Sequence, residues 1–396
     1  MKKTRSLREI LIVLILVNLL FVSGASSTIT SSLNISFSGT ISQLSASLLH
    51  IEGNKIKDAY GNVVVLRGVN VPGLTGDSVG NWMGSGTWSE TNCLQELSII
   101  KSWGANCIRL PIAVDLWKFN LNYGGQAMHT TIDKILTCAQ IEGLYVILDP
   151  HVLKSDASYT PRTSSYDNPL PYPPNQGNDG HGTNFSSIIT SKADFVSFMA
   201  DIALDTENHT NVLWETWNEP QGTSSMLSDY YATVVQLSIN AIRATGATQP
   251  ILVMGQNWGT PYVDLRYPSG DNGLRWFSDA KFNDSTGNLI IDAHNYRGDI
   301  YYGASTSYLK ADIDSGLNYM DFYDQNYPII VTEIGCNNGG GSQEQQYFDN
   351  TLSLLDVHGI GYCAWAFWDV TSYTLMQGYP SVLPDAAGLI LQSHLK

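Results

Sequence analysis

Leu213-Trp214-Glu215-Thr216-Trp217-Asn218-Glu219-Pro220 reads as a buried strand that ends abruptly. With Val212 just upstream, Leu213, Trp214, Thr216 and Trp217 favour a pleated, packed surface. Pro220 has no N–H to give to a sheet ladder, so regular pairing stops there. Asn218 and Glu219 are thereby presented at the strand's C-terminal end, the end that carries the chemistry in parallel α/β architectures. Pro328-Ile329-Ile330-Val331-Thr332-Glu333-Ile334-Gly335 has the same form: an apolar strand, a glutamate, then glycine. Two glutamates therefore close two separate strands.

Outward from these stretches, strand-like and helix-like segments alternate along residues 48–396. Strands are expected at 63–69, 106–110, 144–149, 212–217, 250–254, 289–294, 329–333 and 361–368. Helices are expected at 91–103, 130–142, 192–206, 224–245, 305–323 and 343–358, while 256–282 has no clear helical period. Eight apolar strands separated by crossovers spell a (β/α)8 TIM barrel. Residues 48–396 exceed the ~250 typical of one such domain, so loops on the C-terminal face of the strands must be enlarged. The largest, 152–189, holds Pro161, Pro169, Pro171, Pro173 and Pro174 with Tyr159, Tyr166 and Tyr172, a composition that excludes a helix. The rival fold, an open doubly wound sheet, is weakened because no Gly-rich phosphate fingerprint follows the first strand. A short hairpin turning at Gly53-Asn54 is expected over 49–57.

The 396 residues carry a formal net charge of −15. Such an acidic surface argues against nucleic acid and anionic membranes as partners and suits a neutral substrate. The first residues run against this trend: Lys2, Lys3, Arg5 and Arg8 precede an apolar run, 10–22, and Ser23-Gly24-Ala25 follows. That is the order of a secretory signal, expected here over 1–25, with the protein secreted. The run includes Asn18 and falls short of the ~20 residues of a spanning helix. An uncleaved anchor, with the protein held on the membrane and facing outside, is the second reading. Residues 26–47, rich in Ser and Thr, read as a spacer, or as one exposed strand carrying Leu33, Ile35, Phe37 and Ile41. The barrel domain is expected over 48–396, as a monomer. Cys93, Cys107, Cys138, Cys336 and Cys363 are odd in number, with no Cys-x-x-Cys spacing, which argues against a zinc site. No disulfide pairing follows from the sequence, and Cys107 and Cys363 read as core thiols in apolar strands. No cofactor and no metal are expected.

Other polar residues recur at strand ends. Arg109 sits in the second strand, where a charge is costly unless it meets carboxylates. Asp149-Pro150-His151 ends the third strand, His294 and Tyr296 end the sixth, and Trp365 and Trp368 end the eighth. A lone histidine on an apolar strand is ordinarily a satisfied core residue, and either glutamate alone is ordinarily a rim residue. Two histidines, a tyrosine, an arginine and an asparagine gathered with two glutamates are harder to explain as core. Two carboxylates facing one sugar are the minimal equipment for glycoside hydrolysis. His151 and His294 lack helical His-x-x-x-His spacing and a clear carboxylate trio, so a metal-dependent hydrolase ranks low.

In its motifs the chain resembles glycoside hydrolase family 5, a retaining (β/α)8 family of many cellulases and β-mannanases. The motifs are Leu66-Arg67-Gly68-Val69-Asn70, Ile108-Arg109-Leu110-Pro111, Asp149-Pro150-His151, Trp217-Asn218-Glu219-Pro220, His294-Asn295-Tyr296, Thr332-Glu333-Ile334-Gly335 and Ala364-Trp365-Ala366-Phe367-Trp368. Asn-Glu-Pro alone is moderately specific; the seven in order are highly specific. The resemblance implies that Glu219 is the acid/base and Glu333 the nucleophile. It implies that Asn218 binds the sugar 2-hydroxyl, that Tyr296 partners the nucleophile, and that Arg109, His151 and His294 support the site. Trp368 matches the aromatic floor under the sugar, with Trp365 packing below. The chain departs from many members at Val71-Pro72-Gly73, where no histidine follows the first strand. The chemistry agrees with these roles. Arg109 and the Tyr296 hydroxyl suit an ionised nucleophile. Desolvation by Trp217 and loop aromatics, with Glu333 nearby, would raise Glu219 into the range of an acid.

Aromatics make up 11% of the chain, with 21 Tyr and 10 Trp, and Trp82, Trp88, Trp117, Trp258, Tyr262 and Trp276 fall in expected loops. An aromatic-lined cleft suits the apolar faces of a neutral polysaccharide, although any one Trp is as readily loop packing. The expectation is an endo-acting β-1,4-glucanase acting on β-glucan, with β-mannanase or another β-glycan hydrolase second. A reading of another class is a non-catalytic glycan-binding surface protein on a degenerate barrel, which the presence of both glutamates opposes.

Overall fold

Eight parallel strands, each paired with its sequence neighbour and the last closed on the first, form a barrel in the computed structural model. Described are residues 46–72, 88–112, 114–123, 125–151, 153–154, 177–178, 189, 191–219, 231–254, 282–296, 327–368, 372–377 and 383–396. All belong to the unit Leu44–Lys396. The expected signal at 1–25, most of the spacer, the interior of the 152–189 loop and the helix at 305–323 fall outside these residues.

The strands are β1 (Arg67–Asn70), β2 (Cys107–Ile112), β3 (Tyr145–Pro150) and β4 (Val212–Glu215). They continue as β5 (Ile251–Met254), β6 (Leu289–Tyr296), β7 (Ile329–Gly335) and β8 (Gly361–Trp365). The expected first strand began too early. Val63 instead makes an isolated antiparallel bridge to Lys57, extending the N-terminal hairpin His50–Glu52 and Lys55–Lys57. Helices α1 (Glu90–Ser102), α2 (Met128–Glu142), α3 (Lys192–Thr206), α4 (Gln236–Ala244) and α5 (Gly341–His358) lie between strands. Ser89 and Ser191 cap α1 and α3 by accepting backbone N–H groups. A further helix, α6 (Ala386–His394), follows β8, capped by Asp385 and packed on α5. The sequence reading stopped at β8 and missed it.

Strand alternation divides the core into two layers. Val146, Trp214, Ile251, Val253, Ile291 and Tyr362 join the apolar layer packed with the helices. Cys107, Ile147, Leu213, Leu252, Ile290, Ile330 and Cys363 form a separate cluster that fills the barrel. The Cys107 and Cys363 thiols meet there, Sγ to Sγ 3.5 Å, and both are core residues as expected. Gly68 lets β1 lie against β2 at this level: a Cβ at that position would lie 1.8 Å from the Cys107 carbonyl oxygen. The inward side chains two residues further along the strands are polar: Arg109, Asp149, Glu215, Asp292 and Thr332, all buried. The candidate site stands on this polar layer.

Candidate active site

Arg109 is the hub of that layer. Its Nε donates to Glu215 Oε2 at 2.7 Å and its Nη2 to Glu215 Oε1 at 2.8 Å, a two-pronged pair. Nη2 also reaches Asp149 Oδ2 at 2.8 Å and Asn218 Oδ1 at 2.9 Å. Nη1 donates to Glu333 Oε1 at 2.6 Å and Asn70 Oδ1 at 3.0 Å. The expectation that Arg109 meets carboxylates is met three times over. Asn70 is locked in turn by donating to the Thr332 and Cys363 carbonyls.

Glu333 reaches this hub because β7 carries a bulge. Ala293 pairs with Val331, yet His294 pairs with Glu333, so Thr332 is the extra residue. Thr332 and Glu333 can then both contact groups of the barrel mouth. Glu333 accepts a hydrogen bond from the Tyr296 hydroxyl at 2.8 Å on Oε2 and one from Arg109 on Oε1. Burial holds the Tyr296 phenol well above its ordinary range, so it stays a donor. Gly335 leaves room for that ring: a Cβ there would lie 2.4 Å from Tyr296 Cε1.

Glu219 lies just past β4 with φ +49°, a left-handed backbone that non-glycine residues rarely adopt. Its N–H points to Met254 Sδ at 3.0 Å. Its Oε1 lies 2.9 Å from His294 Nδ1, and His294 Nδ1 lies 3.5 Å from Glu333 Oε2. One oxygen of each glutamate and a His294 nitrogen all fall within 4.8 Å of one another. The Glu219 side chain keeps 28% exposure against 7% for Glu333, so it is the more accessible of the two.

Burial pushes Glu219 up to about 7, against the downward pull of His151 and Arg109. The direction is the expected one and its cause is burial; Glu333, expected to add to the rise, is not among the causes. Trp217, expected to help desolvate it, packs edge-on against Phe195 of α3, centroids 4.8 Å apart. Burial likewise pushes Asp149 and Glu215 up to about 7 despite their contacts with Arg109. One cation cannot offset so many carboxylates out of water. His151, its Nδ1 2.5 Å from Asp149 Oδ2, is shifted down by burial, and His294 falls to about 3 for the same reason.

A cavity of about 330 Å³ opens over these groups, lined by His151, Asn218, Glu219, Tyr296, Glu333, Trp365 and Tyr373. Its aromatic walls are Trp365, stacked on His151 at 5.6 Å, and Tyr373, edge-on to Tyr296 at 5.5 Å. Trp368, expected as the floor, is not among the lining residues, and Trp365, expected to pack below, is. Arg109 and His294 lie beneath the lining as supports. The sequence reading missed Asn70, Glu215, Asp292, Thr332 and Tyr373. Glu215 and Asp292 carried a usable signal, since each is two residues on from an inward apolar residue of its strand. Among the described residues, two groups have ligand atoms close enough for a metal ion: Glu215, Asp292 and His294, and Glu219, His294 and Glu333. Both depend on His294, whose two nitrogens are already engaged by Glu219 and Thr332.

The family described as cellulase (glycosyl hydrolase family 5) matches residues 58–371. The chain belongs to glycosyl hydrolase family 5. It is 26% identical over 324 residues to endoglucanase E-5 of Thermobifida fusca, covering 80% of this chain and 55% of that protein. It is 21% identical over 329 residues to a mannan endo-1,4-beta-mannosidase of Cellvibrio japonicus, covering 82% of this chain and 60% of that one. The chain thus spans somewhat over half the length of these relatives. Among solved structures, a beta-glucanase of Saccharophagus degradans aligns with TM-score 0.66 at 21% identity, covering 88% of this chain and 93% of that one. A mannanase catalytic domain from Streptomyces sp. SirexAA-E aligns with TM-score 0.57 at 20% identity, covering 92% and 94%. At these identities the structural likeness speaks for the barrel fold.

Proposed function

We propose that this family 5 chain is a retaining, endo-acting hydrolase of β-1,4-glucan, with Glu219 as acid/base and Glu333 as nucleophile. The observation that carries the reading is the approach of the two glutamates, whose nearest atoms lie within 4.8 Å. Retaining pairs sit ~5–5.5 Å apart, whereas inverting pairs leave ~6.5–9.5 Å for a water. Glu333, anchored by Arg109 and Tyr296, attacks the anomeric carbon while Glu219 gives its proton to the departing glycosidic oxygen. A glycosyl ester forms on Glu333. Glu219, now a carboxylate, takes a proton from water, and the hydroxide displaces Glu333. Arg109 engages the Asn218 carbonyl oxygen, which leaves the amide NH2 free to donate to a sugar hydroxyl in the cavity it lines. Trp365 offers the apolar wall against which the ring stacks.

Glucan is preferred because endoglucanase E-5 of Thermobifida fusca and an endoglucanase of Butyrivibrio fibrisolvens are among the relatives. β-Mannan is the second reading, favoured by the Cellvibrio japonicus relative. Proton NMR of the first product from a β-linked glucan tests the mechanism: a β-anomer is expected, and an initial α-anomer would remove Glu333 as nucleophile. A panel of carboxymethylated glucan, mannan, xylan and mixed-linkage glucan tests the substrate. Silence on all four would return the non-catalytic glycan-binding reading. Secretion with removal of residues 1–25 is part of the proposal, motivated by Ser23-Gly24-Ala25 after the apolar run. N-terminal sequencing of exported protein should begin near Ser26, and recovery of only intact membrane-bound chain would favour the anchor.

A further inference from the structure

Beneath the two glutamates a hydrogen-bonded chain runs from Glu219 through His294 and Thr332 to Asp292. We propose that Asp292 and Thr332 fix the tautomer of His294 and through it hold Glu219 in its acid form; this rests on the reading of Glu219 as acid/base. Thr332 has one hydroxyl proton, and it donates that proton to Asp292 Oδ1. Its oxygen then faces His294 Nε2 at 3.1 Å as an acceptor, so Nε2 must carry the ring proton. Burial keeps the ring neutral, against the upward pull of Glu333, and a neutral imidazole has one N–H. Nδ1 is therefore a bare lone pair, 2.9 Å from Glu219 Oε1. A lone pair and a carboxylate oxygen repel at that distance; with a proton on Glu219 the contact becomes a hydrogen bond.

Asp292 is fully buried in β6 and is not among the cavity's lining residues, so it acts as a positioning residue. Its Oδ1 is the acceptor for Thr332, and its Oδ2 has no hydrogen-bond partner among the described residues. Arg109 and His151, from β2 and the end of β3, pull Glu219 downward. Burial, with Glu215 of β4 and Asp149 of β3 adding to it, raises Asp292 well above its ordinary range against Arg109 of β2 and the Thr332 hydrogen bond from β7; a proton on the unpartnered Oδ2 leaves Oδ1 the acceptor for Thr332. A disturbance of those charges would leave the tautomer alone, which makes the tautomer the deciding readout.

The test is long-range proton–nitrogen NMR on the full chain labelled at histidine nitrogen, with His294 assigned from His294→Gln. The wild type and Thr332→Ser should show His294 protonated on Nε2. Thr332→Val should move the proton to Nδ1, where it stabilises the Glu219 carboxylate. The alkaline limb of kcat/KM should then fall by ~1 pH unit, a shift typical of one strong local interaction. Asp292→Ala frees Thr332 to donate to Nε2 and should act in the same direction, covering the case in which the valine variant does not fold. A wild-type ring protonated on Nδ1, or a folded variant whose tautomer and profile match the wild type, would overturn the proposal. Failure of the acid/base reading would show differently, as unchanged turnover in Glu219→Gln, and would leave the tautomer measurement intact.

Discussion

Replacing Arg109 by methionine keeps most of the side-chain volume and removes the cation that pairs with Asp149, Glu215 and Glu333. Arg109 is fully buried. Removing one member of a buried ion pair costs ~3–5 kcal/mol, because the partners are left uncompensated. For a domain of this size that corresponds to a drop in Tm on the order of 10 °C. The loss should depend on pH. Asp149 and Glu215 already have folded-state pKa values raised above their ordinary range by burial, with Arg109 pulling them down. Without Arg109 they rise further. A carboxyl raised on folding contributes stability that is fully present below its unfolded value, ~4, and is lost as pH rises through the folded value. The variant's deficit should therefore stay level up to about pH 6, where both carboxyls hold their protons in either protein, and widen as pH rises past the wild-type values of about 7. Near-UV circular dichroism melts across that range measure both curves. A methionine variant whose deficit is constant with pH would refute the view that Arg109 acts as counter-charge.

Trp365→Ala should lower kcat/KM at least tenfold, ~1.4 kcal/mol of transition-state stabilisation, with native spectra, while Trp368→Ala should change it less. Equal losses would put both rings under the substrate. Gly335→Ala should displace the Tyr296 ring from Glu333, destabilise the fold by ~1–3 kcal/mol and reduce turnover; full activity would mean that the Tyr296 contact is dispensable. On an unactivated glucan kcat/KM should fall about tenfold per pH unit above a midpoint near 7, where Glu219 loses its proton. A profile flat far into the alkaline range would exclude it as the acid. Glu219→Ala should spare activated aryl glycosides in their first step and show a burst followed by slow release.

The barrel was legible in the sequence because strands buried on both faces write long apolar runs, and β2, β3, β6 and β7 start within one residue of their expected positions. The first strand was misplaced because Val63, Val64 and Val65 look like core, while Val63 is exposed beside the hairpin. Helix α6 was missed because it comes after the last strand signal, where nothing in the alternation demanded it. Glu219, Glu333, Asn218, His151 and Tyr296 could be gathered because strand ends share one rim, and the structure lines one cavity with all five. Thr332 and Glu333 could not both be placed at the mouth from sequence, since alternation sends neighbours to opposite faces and only the bulge against His294 relieves this. Which of Trp365 and Trp368 lines the cavity was not legible, because the direction of a side chain past the end of a strand is set by the backbone turn, which residue type does not encode.

The polar layer explains why the site can be both anchored and reactive. An apolar plug of Leu213, Leu252, Ile290 and Ile330 fills the barrel below it, so solvent cannot screen Arg109 and its carboxylates from that side. Asp149, Glu215 and Asp292 are sealed at 0% exposure, while Glu219 at the rim retains access to the cavity. The sealed groups do not face the cavity, whereas the rim group does. The layer can then preserve a fixed electrostatic background through turnover while Glu219 alternates between acid and base. Had the same carboxylates been exposed, each would titrate near its ordinary value, and no carboxyl on this rim would hold a proton near neutral pH.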